Sequence, residues 1–349
     1  MIEDNQDQNE ELENINHDEG TNDEISSTYE PILSEAQILQ QKLTLLKEEC
    51  SKLLVDQDEL IELMMTCIIS GGHILLEGVP GIAKTLSAKV LAKSIDAEFS
   101  RIQFTPDLLP ADIIGTSIYK MKDSEFVFEK GPVFSNIVLI DEINRAPAKT
   151  QAALFEVMEE KQISYDGEQY KMDFPFVVIA TQNPIDQEGT YKLPEAQLDR
   201  FLMKLKVNYP NLNAEVNILK KFNTNIEGAD LSKINAVFTK EDLQKLQEIA
   251  SKVYIEDQLF EYIGKLVQES RTHGKLYLGA SPRSSLAILR TAKVQAAIQG
   301  RSFVIPDDIQ FVAPHVLNHR LILSAEAEME AVTPEMIVKE IIAELEVPR

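Results

Sequence analysis

Three short stretches of this 349-residue chain carry side chains that can act on a phosphate ester. The first is His73-Ile-Leu-Leu-Glu-Gly-Val-Pro-Gly-Ile-Ala-Lys-Thr85, an apolar run that breaks into a glycine-containing loop ending in Lys84-Thr85. Backbone N–H groups in such a loop point inward at a polyphosphate. The lysine supplies charge to the outer phosphates, and the threonine hydroxyl can ligate Mg²⁺. The usual pattern is Gly-x4-Gly-Lys-Ser/Thr, and Ala83 stands where the last glycine belongs. That position opens a helix, where a negative φ is expected to suit alanine and to leave its N–H available. Taken alone, the stretch is also compatible with an ordinary strand-turn-helix corner.

The second stretch is Asp141-Glu142, directly after the apolar run Ile137-Val-Leu-Ile140. Two adjacent carboxylates at a strand end can divide the labour: Asp141 holds Mg²⁺, and Glu142 orients and polarises a water aimed at a γ-phosphate. A strand-end Asp that caps the next turn is the plain alternative. The third is Thr181-Gln182-Asn183, where the Asn183 amide can reach the γ-phosphate or the attacking water from a neighbouring strand; an Asn before Pro184 also reads as a turn signal. His315 and His319 stand one helical turn apart but lack a third ligand, which favours a packed or exposed pair over a metal site. Cys50 and Cys67 lack CxxC spacing and are expected to be buried, reduced thiols.

These groups need strands to bring them together. His73 to Leu76, Ile102 to Phe104, Ile137 to Ile140 and Phe176 to Ala180 read as buried strands alternating with helices, the pattern of a parallel sheet. In such sheets ligands bind at the carboxyl ends of the strands, where all three polar stretches fall. Ile38, Leu39, Leu43, Leu46, Leu60, Leu63, Met64 and Cys67 are spaced for buried helical faces. Between Thr105 and Gly131, two alternating stretches, Ser117 to Met121 and Glu125 to Glu129, flank Lys122-Asp-Ser and signal an inserted hairpin. Beyond Tyr209-Pro210-Asn211 the strand pattern ends. Glu241 to Arg349 reads as helices with a break near Ser281-Pro282. The division expected is a tail over 1–34, an α/β nucleotide-binding core over 35–211, a linker over 212–240 and an α-helical lid over 241–349.

Composition sets the outer limits. The hydrophobic content of 44% suits a globular protein, and a formal net charge of -23 with a pI near 4.7 argues against nucleic acid or a membrane surface as partner. Residues 1–30 hold eleven Asp or Glu, and the first basic residue is Lys42. Such a segment buries too little to offset chain entropy and is expected to be disordered. No signal peptide or transmembrane run is evident, so a cytoplasmic location is expected.

Gly78-Val-Pro-Gly-Ile-Ala-Lys-Thr85, Ile140-Asp-Glu-Ile-Asn-Arg-Ala-Pro147, Ala180-Thr-Gln-Asn-Pro184 and Leu193-Pro-Glu-Ala-Gln-Leu-Asp-Arg-Phe201 together resemble the MoxR family of AAA+ ATPases, over about residues 35–349. Ala before the lysine is common in that family. The resemblance implies an AAA+ P-loop NTPase fold, with a parallel central sheet flanked by helices and followed by an all-α lid. It implies an ATPase using ATP and Mg²⁺. The phosphate loop would be Gly78, Pro80, Gly81, Ile82, Ala83, Lys84, Thr85 and Leu86. Thr85 and Asp141 would hold the metal, Asp141 and Glu142 would be the Walker B pair, and Asn183 sensor 1. Arg200 would be an arginine finger reaching the neighbouring subunit's γ-phosphate, with a surface pairing to Asp199 as its alternative. Arg283, in Ser281-Pro-Arg-Ser284, would be sensor 2. Val55 and Gln57 would lie near the adenine, although Val-Asp-Gln-Asp58 departs from the more usual Val-Gly-Gln. The 105–131 hairpin would be the helix-2 insert that this branch shares with chelatases and replicative helicases. The partners implied are further copies in a hexameric ring and a protein client, with von Willebrand factor A domain proteins among the candidates. A chaperone that remodels or activates protein partners is the expected function. A nucleic-acid motor of the helicase branch and a metal-chelatase motor subunit are the alternatives.

Overall fold

The computed structural model describes residues 20–122, 124–184, 191, 193–223 and 229–348, and side chains from residue 36 onward within these. Its strands are β1 (Ile74–Glu77), β2 (Ile95–Asp96), β3 (Phe99–Gln103), β4 (Gly115–Lys120), β5 (Glu125–Lys130), β6 (Ile137–Asp141), β7 (Gln162–Tyr165), β8 (Glu168–Lys171), β9 (Val177–Gln182), β10 (Met203–Lys206), β11 (Phe238–Thr239), β12 (Leu276–Leu278) and β13 (Ile322–Leu323). Its helices are α1 (Gly20–Ser51), α2 (Asp58–Ile69), α3 (Lys84–Ser94), α4 (Pro110–Ile114), α5 (Ala148–Glu160), α6 (Glu195–Leu198), α7 (Leu212–Phe222), α8 (Lys240–Lys252), α9 (Asp257–Thr272), α10 (Pro282–Ile298), α11 (Pro306–Leu317), α12 (Ala325–Met329) and α13 (Pro334–Glu344).

Five parallel strands form the central sheet in the order β10-β1-β9-β6-β3. β1, β6 and β9 are covered on both faces, which is why they are apolar at successive positions, rather than at alternate ones, until their polar carboxyl ends. Successive residues still face opposite ways. Leu75, Val138, Ile140, Val178 and Ala180 join Phe155 and Phe201 in one core, while Ile74, Leu76, Leu139 and Ile179 join α1, α2, α3 and the lid helices in the other. That second core runs unbroken from the sheet into α9, α10, α11 and α13, so sheet and lid share one apolar interior.

The expected strands are present, displaced by a residue or a few at their ends. Four features differ from expectation. Helix α1 starts at Gly20, inside the segment read as a tail, where it extends the buried turns built on Leu39, Leu43 and Leu46; residues 1–19 lie outside the described residues. Ile38 is exposed, because the seam it was assigned to passes through Leu39 instead. The stretch 212–240, read as a linker, contains α7, capped by Asn211 Oδ1 accepting from Ala214 N–H at 2.9 Å, and β11, which pairs in parallel with β2. The lid is helical but also carries a short antiparallel pair, β12 with β13.

The inserted hairpin forms as β4 and β5, with Ile118 opposite Val127. A second hairpin, β7 with β8, turns at Asp166-Gly167, both with positive φ. Phe128 of the first hairpin lies 4.7 Å from the rings of both Tyr165 and Tyr170 of the second. The two hairpins are therefore packed together by aromatic contact.

Candidate nucleotide site at the carboxyl edge of the sheet

β1, β6 and β9 end side by side, with Glu77 opposite Gln182 and Ile140 opposite Ala180. The chemistry-bearing residues follow those ends directly. Gly78 begins the loop after β1, and its N–H donates to Gln182 O at 3.3 Å. A Cβ on Gly78 would meet Ile82 Cδ1 at 2.4 Å and Val207 O at 2.6 Å, so the close approach of strand and loop requires glycine here. Pro80 and Gly81 are exposed, and Ile82 plugs the loop into the core. Leu86, a turn into α3, packs half-buried against the same core.

Ala83 corrects the sequence expectation. Its φ is +67°, in the left-handed region, not the negative value expected at a helix start. The loop turns here in the conformation that glycine adopts freely, and alanine holds it at a cost of about 1 kcal/mol. The first N–H groups of α3, which follows this turn directly, have no acceptor within the helix and suit an anion.

Lys84 Nζ donates to the carbonyls of Gly78 and of Val79, the latter at 3.0 Å, and partial burial lowers its pKa. Thr85 Oγ1 donates to Asp141 Oδ1 at 2.9 Å. The other Asp141 oxygen accepts from Arg101 Nε at 2.6 Å, and Thr181 Oγ1 lies 3.3 Å from Oδ1. Asp141 is thus a buried carboxylate fixed from one helix, α3, and two strands, β3 and β9. Glu142 has φ +57° and ψ +54°, a strained turn that swings its side chain off the strand. Its N–H donates to Thr181 Oγ1 at 3.0 Å, and its carboxylate accepts from Arg145 Nε at 3.0 Å and from Gln103 Nε2 at 3.3 Å. Asn183 follows the last residue of β9, beside Gly78. A hydroxyl and a carboxylate in contact, next to a lysine at the start of α3, form a hard-oxygen and phosphate donor set, and the residues present fit Mg²⁺ with a polyphosphate.

The remaining expected residues have partners of their own. Val55 and Gln57 line a cavity of about 360 Å³ with Cys50, Leu54, Asn217 and Lys221. Lys221 of α7 closes it, donating to the carbonyls of Ser51 and of Leu54, the latter at 3.1 Å. Arg200 pairs with Glu159 at 2.8 Å and lies 6.0 Å from the Phe155 ring, rather than against Asp199. Arg283 is exposed at the start of α10, 3.7 Å from Asp199 Oδ2.

Sequence reasoning missed Arg101 and Arg320, and singled out Thr181 without giving it a role. Arg101 and Thr181 occupy strand positions beside Asp141, and register alone would have paired Gln103 with Asp141. Arg320 pairs with Asp199 across 121 residues of sequence, a relation no local signal carries.

A family model described as "ATPase family associated with various cellular activities (AAA)" matches residues 73–203, and one described as "AAA lid domain" matches residues 268–341. The chain is 46% identical to the uncharacterized protein YeaC of Bacillus subtilis, over 86% of this chain and 93% of that one. It is 44% identical to Chaperone MoxR1 of Mycobacterium tuberculosis, over 86% of this chain and 81% of that one. The crystal structure of a Cytophaga hutchinsonii protein, described as a candidate ATPase, superposes with a TM-score of 0.83 at 40% identity, covering 93% of this chain and 99% of that one.

Proposed function

The chain belongs to the MoxR family of AAA+ ATPases, and from that premise we propose that it hydrolyses ATP with Mg²⁺ at the interfaces of a ring of its own copies and uses the cycle to remodel protein partners. The observation that carries this reading is the contact of Thr85 with Asp141 beside Lys84, with Glu142 on the next residue. Gly78, Pro80, Gly81, Ile82, Ala83 and Leu86 shape the cradle for the phosphates, and Val55 and Gln57 line the hollow that takes the adenine. Thr85 and Asp141 would hold Mg²⁺, which supplies positive charge to the phosphate oxygens when bound.

Glu142 orients a water and accepts its proton as the oxygen attacks the γ-phosphorus. The bond from phosphorus to the bridging oxygen breaks, and ADP leaves. Asn183 holds the same water or the γ-phosphate. Arg200, paired with Glu159 on α5, serves the nucleotide of the adjacent copy and neutralises charge developing on the transferred group. Arg283 reads the nucleotide from the lid of its own copy. The core over 35–211 therefore binds and cleaves, and the lid over 241–349 responds.

The net charge of -23 supports a protein rather than a nucleic-acid partner. Turnover is measured with and without single- and double-stranded DNA; strong, salt-sensitive stimulation would replace this reading with a nucleic-acid motor. The client is sought by recovering proteins held by Glu142→Gln assemblies in ATP. Such assemblies should retain partners that the wild type releases, and equal recovery from both would count against coupled remodelling.

A further inference from the structure

Residue 200 sits between two residues whose backbone is gripped by the lid. Arg320, which follows α11, has a side chain only 6% accessible and spends all of its donors on the segment around Arg200 and on its own helix. Nε donates to Asp199 Oδ1 at 2.7 Å. One terminal nitrogen donates to Leu202 O at 3.2 Å and to Val316 O, and the other to Asp199 O at 3.4 Å and Phe201 O at 2.8 Å. The neighbouring lid residues grip the same segment: His319 Nε2 donates to Phe201 O at 2.9 Å, and Asn318 Nδ2 to Lys204 O at 2.9 Å. Carbonyls on both sides of Arg200 are thereby fixed to one lid turn, and with them the direction in which the Arg200 side chain leaves the backbone.

We propose that Arg320 is a positioning residue for Arg200, so that the lid of one copy sets the geometry of the group that this copy lends to its neighbour's nucleotide. The proposal rests on Arg200 acting across a subunit interface. A guanidinium is required because five bonds in one plane are used. An ammonium at the same place can reach only part of the set. Lid rotation in a copy that has bound or released nucleotide is carried through the Asn318-His319-Arg320 turn to residues 199–204, and so to the adjacent site.

The test mixes inactive subunits. Arg320→Gln alone is expected to lose about 10²-fold in kcat, the scale of a misplaced catalytic group, with KM for ATP within about threefold because its own loop is untouched. Combined in equal amounts with Glu142→Gln subunits, it is expected to regain about a quarter of wild-type turnover, since random mixing places an intact Glu142 against a correctly held Arg200 at that share of interfaces. Arg200→Ala mixed with Glu142→Gln is run beside it. If that pair recovers and the Arg320→Gln pair does not, the positioning role is overturned while the interface reading stands. If neither recovers although co-assembly is verified, the interface reading falls and takes the proposal with it. Should Arg320→Gln fail to bind a fluorescent ADP analogue, Arg320→Lys is carried through the same mixtures and decides the outcome. Loss of ADP binding by both variants would also overturn the proposal, because Arg320 would then be a requirement of the fold.

Discussion

The nucleotide edge of the sheet and the joint between sheet and lid are both built from polar side chains, yet they satisfy those side chains in opposite ways. At the edge, Gly81, Ala83 and Glu142 all take positive φ, and Lys84 and Thr85 are half-buried beside an open loop. At the joint, Asn318 and His319 are buried and the Arg320 side chain nearly so, each bonded to a carbonyl between residues 199 and 204. Local strain holds groups ready for a ligand that comes and goes. Saturated hydrogen bonding holds a distance that must not change by itself.

Perturbing each region should therefore move a different observable. The largest effect is expected from Arg200→Ala, which should lower turnover by about 10³-fold or more, as loss of an arginine finger does, with little change in thermal unfolding. An unfolding shift as marked as the kinetic one would mean that the two regions are not separable. Glu142→Gln follows, with a loss of about 10²- to 10⁴-fold in phosphate release and ATP binding retained; wild-type turnover in this variant would remove Glu142 from the chemistry.

Acid should act on the joint and on the sheet's underside instead. Burial holds His319 well below its ordinary pKa and brings His73 down from 6.5 to about 4. His73 Nδ1 accepts from Val178 N–H at 3.0 Å, while Nε2 donates to Met158 O at 3.1 Å, an arrangement only the neutral ring can make. Between those values the unfolded chain binds protons that the fold excludes. Stability is thus fully present above about pH 6.5 and declines as the pH falls toward 4, measurable as a falling urea midpoint. A midpoint flat across that window would contradict a neutral, buried His73 ring. The smallest effect is expected from Ala83→Gly, which should stabilise the fold by about 1 kcal/mol by relieving the left-handed alanine, read as a rise in melting temperature. A fall would show that loop freedom in the unfolded chain outweighs the strain.

What the sequence made legible follows from which forces act locally. Ile137 to Ile140 was readable as a strand because burial on both faces leaves an uninterrupted apolar run. β10 was not, since Met203-Lys-Leu-Lys206 at the sheet edge alternates like many amphipathic segments. The second hairpin did carry a signal, Asp166-Gly167 between alternating runs, which passed unused. The residue types proposed for the nucleotide site stand at the fixed spacing that a phosphate cradle needs, so they can be picked out of the sequence. The conformation of Ala83 cannot, as it depends on how the loop closes over Ile82 and Val207. Within Asn318-His319-Arg320, the sequence draws notice only to His319, which with His315 has the spacing of a metal-ligand pair. The role of the turn depends on carbonyls more than a hundred residues away, and a carbonyl leaves no trace in residue type.

The two cysteines bear on how the molecule can be observed. Cys50 and Cys67 are free and buried; burial pushes the Cys50 thiol up to about 11 and Cys67 higher still, so neither offers appreciable thiolate at neutral pH. The native chain is consequently almost silent to maleimide reagents. A cysteine placed at Met121, 87% exposed at the end of the first hairpin, would take up a dye or spin label nearly alone. In a ring of the kind proposed, spectroscopic distances between such labels on adjacent copies would report the spacing of the hairpin tips, without removal of any native residue from the core.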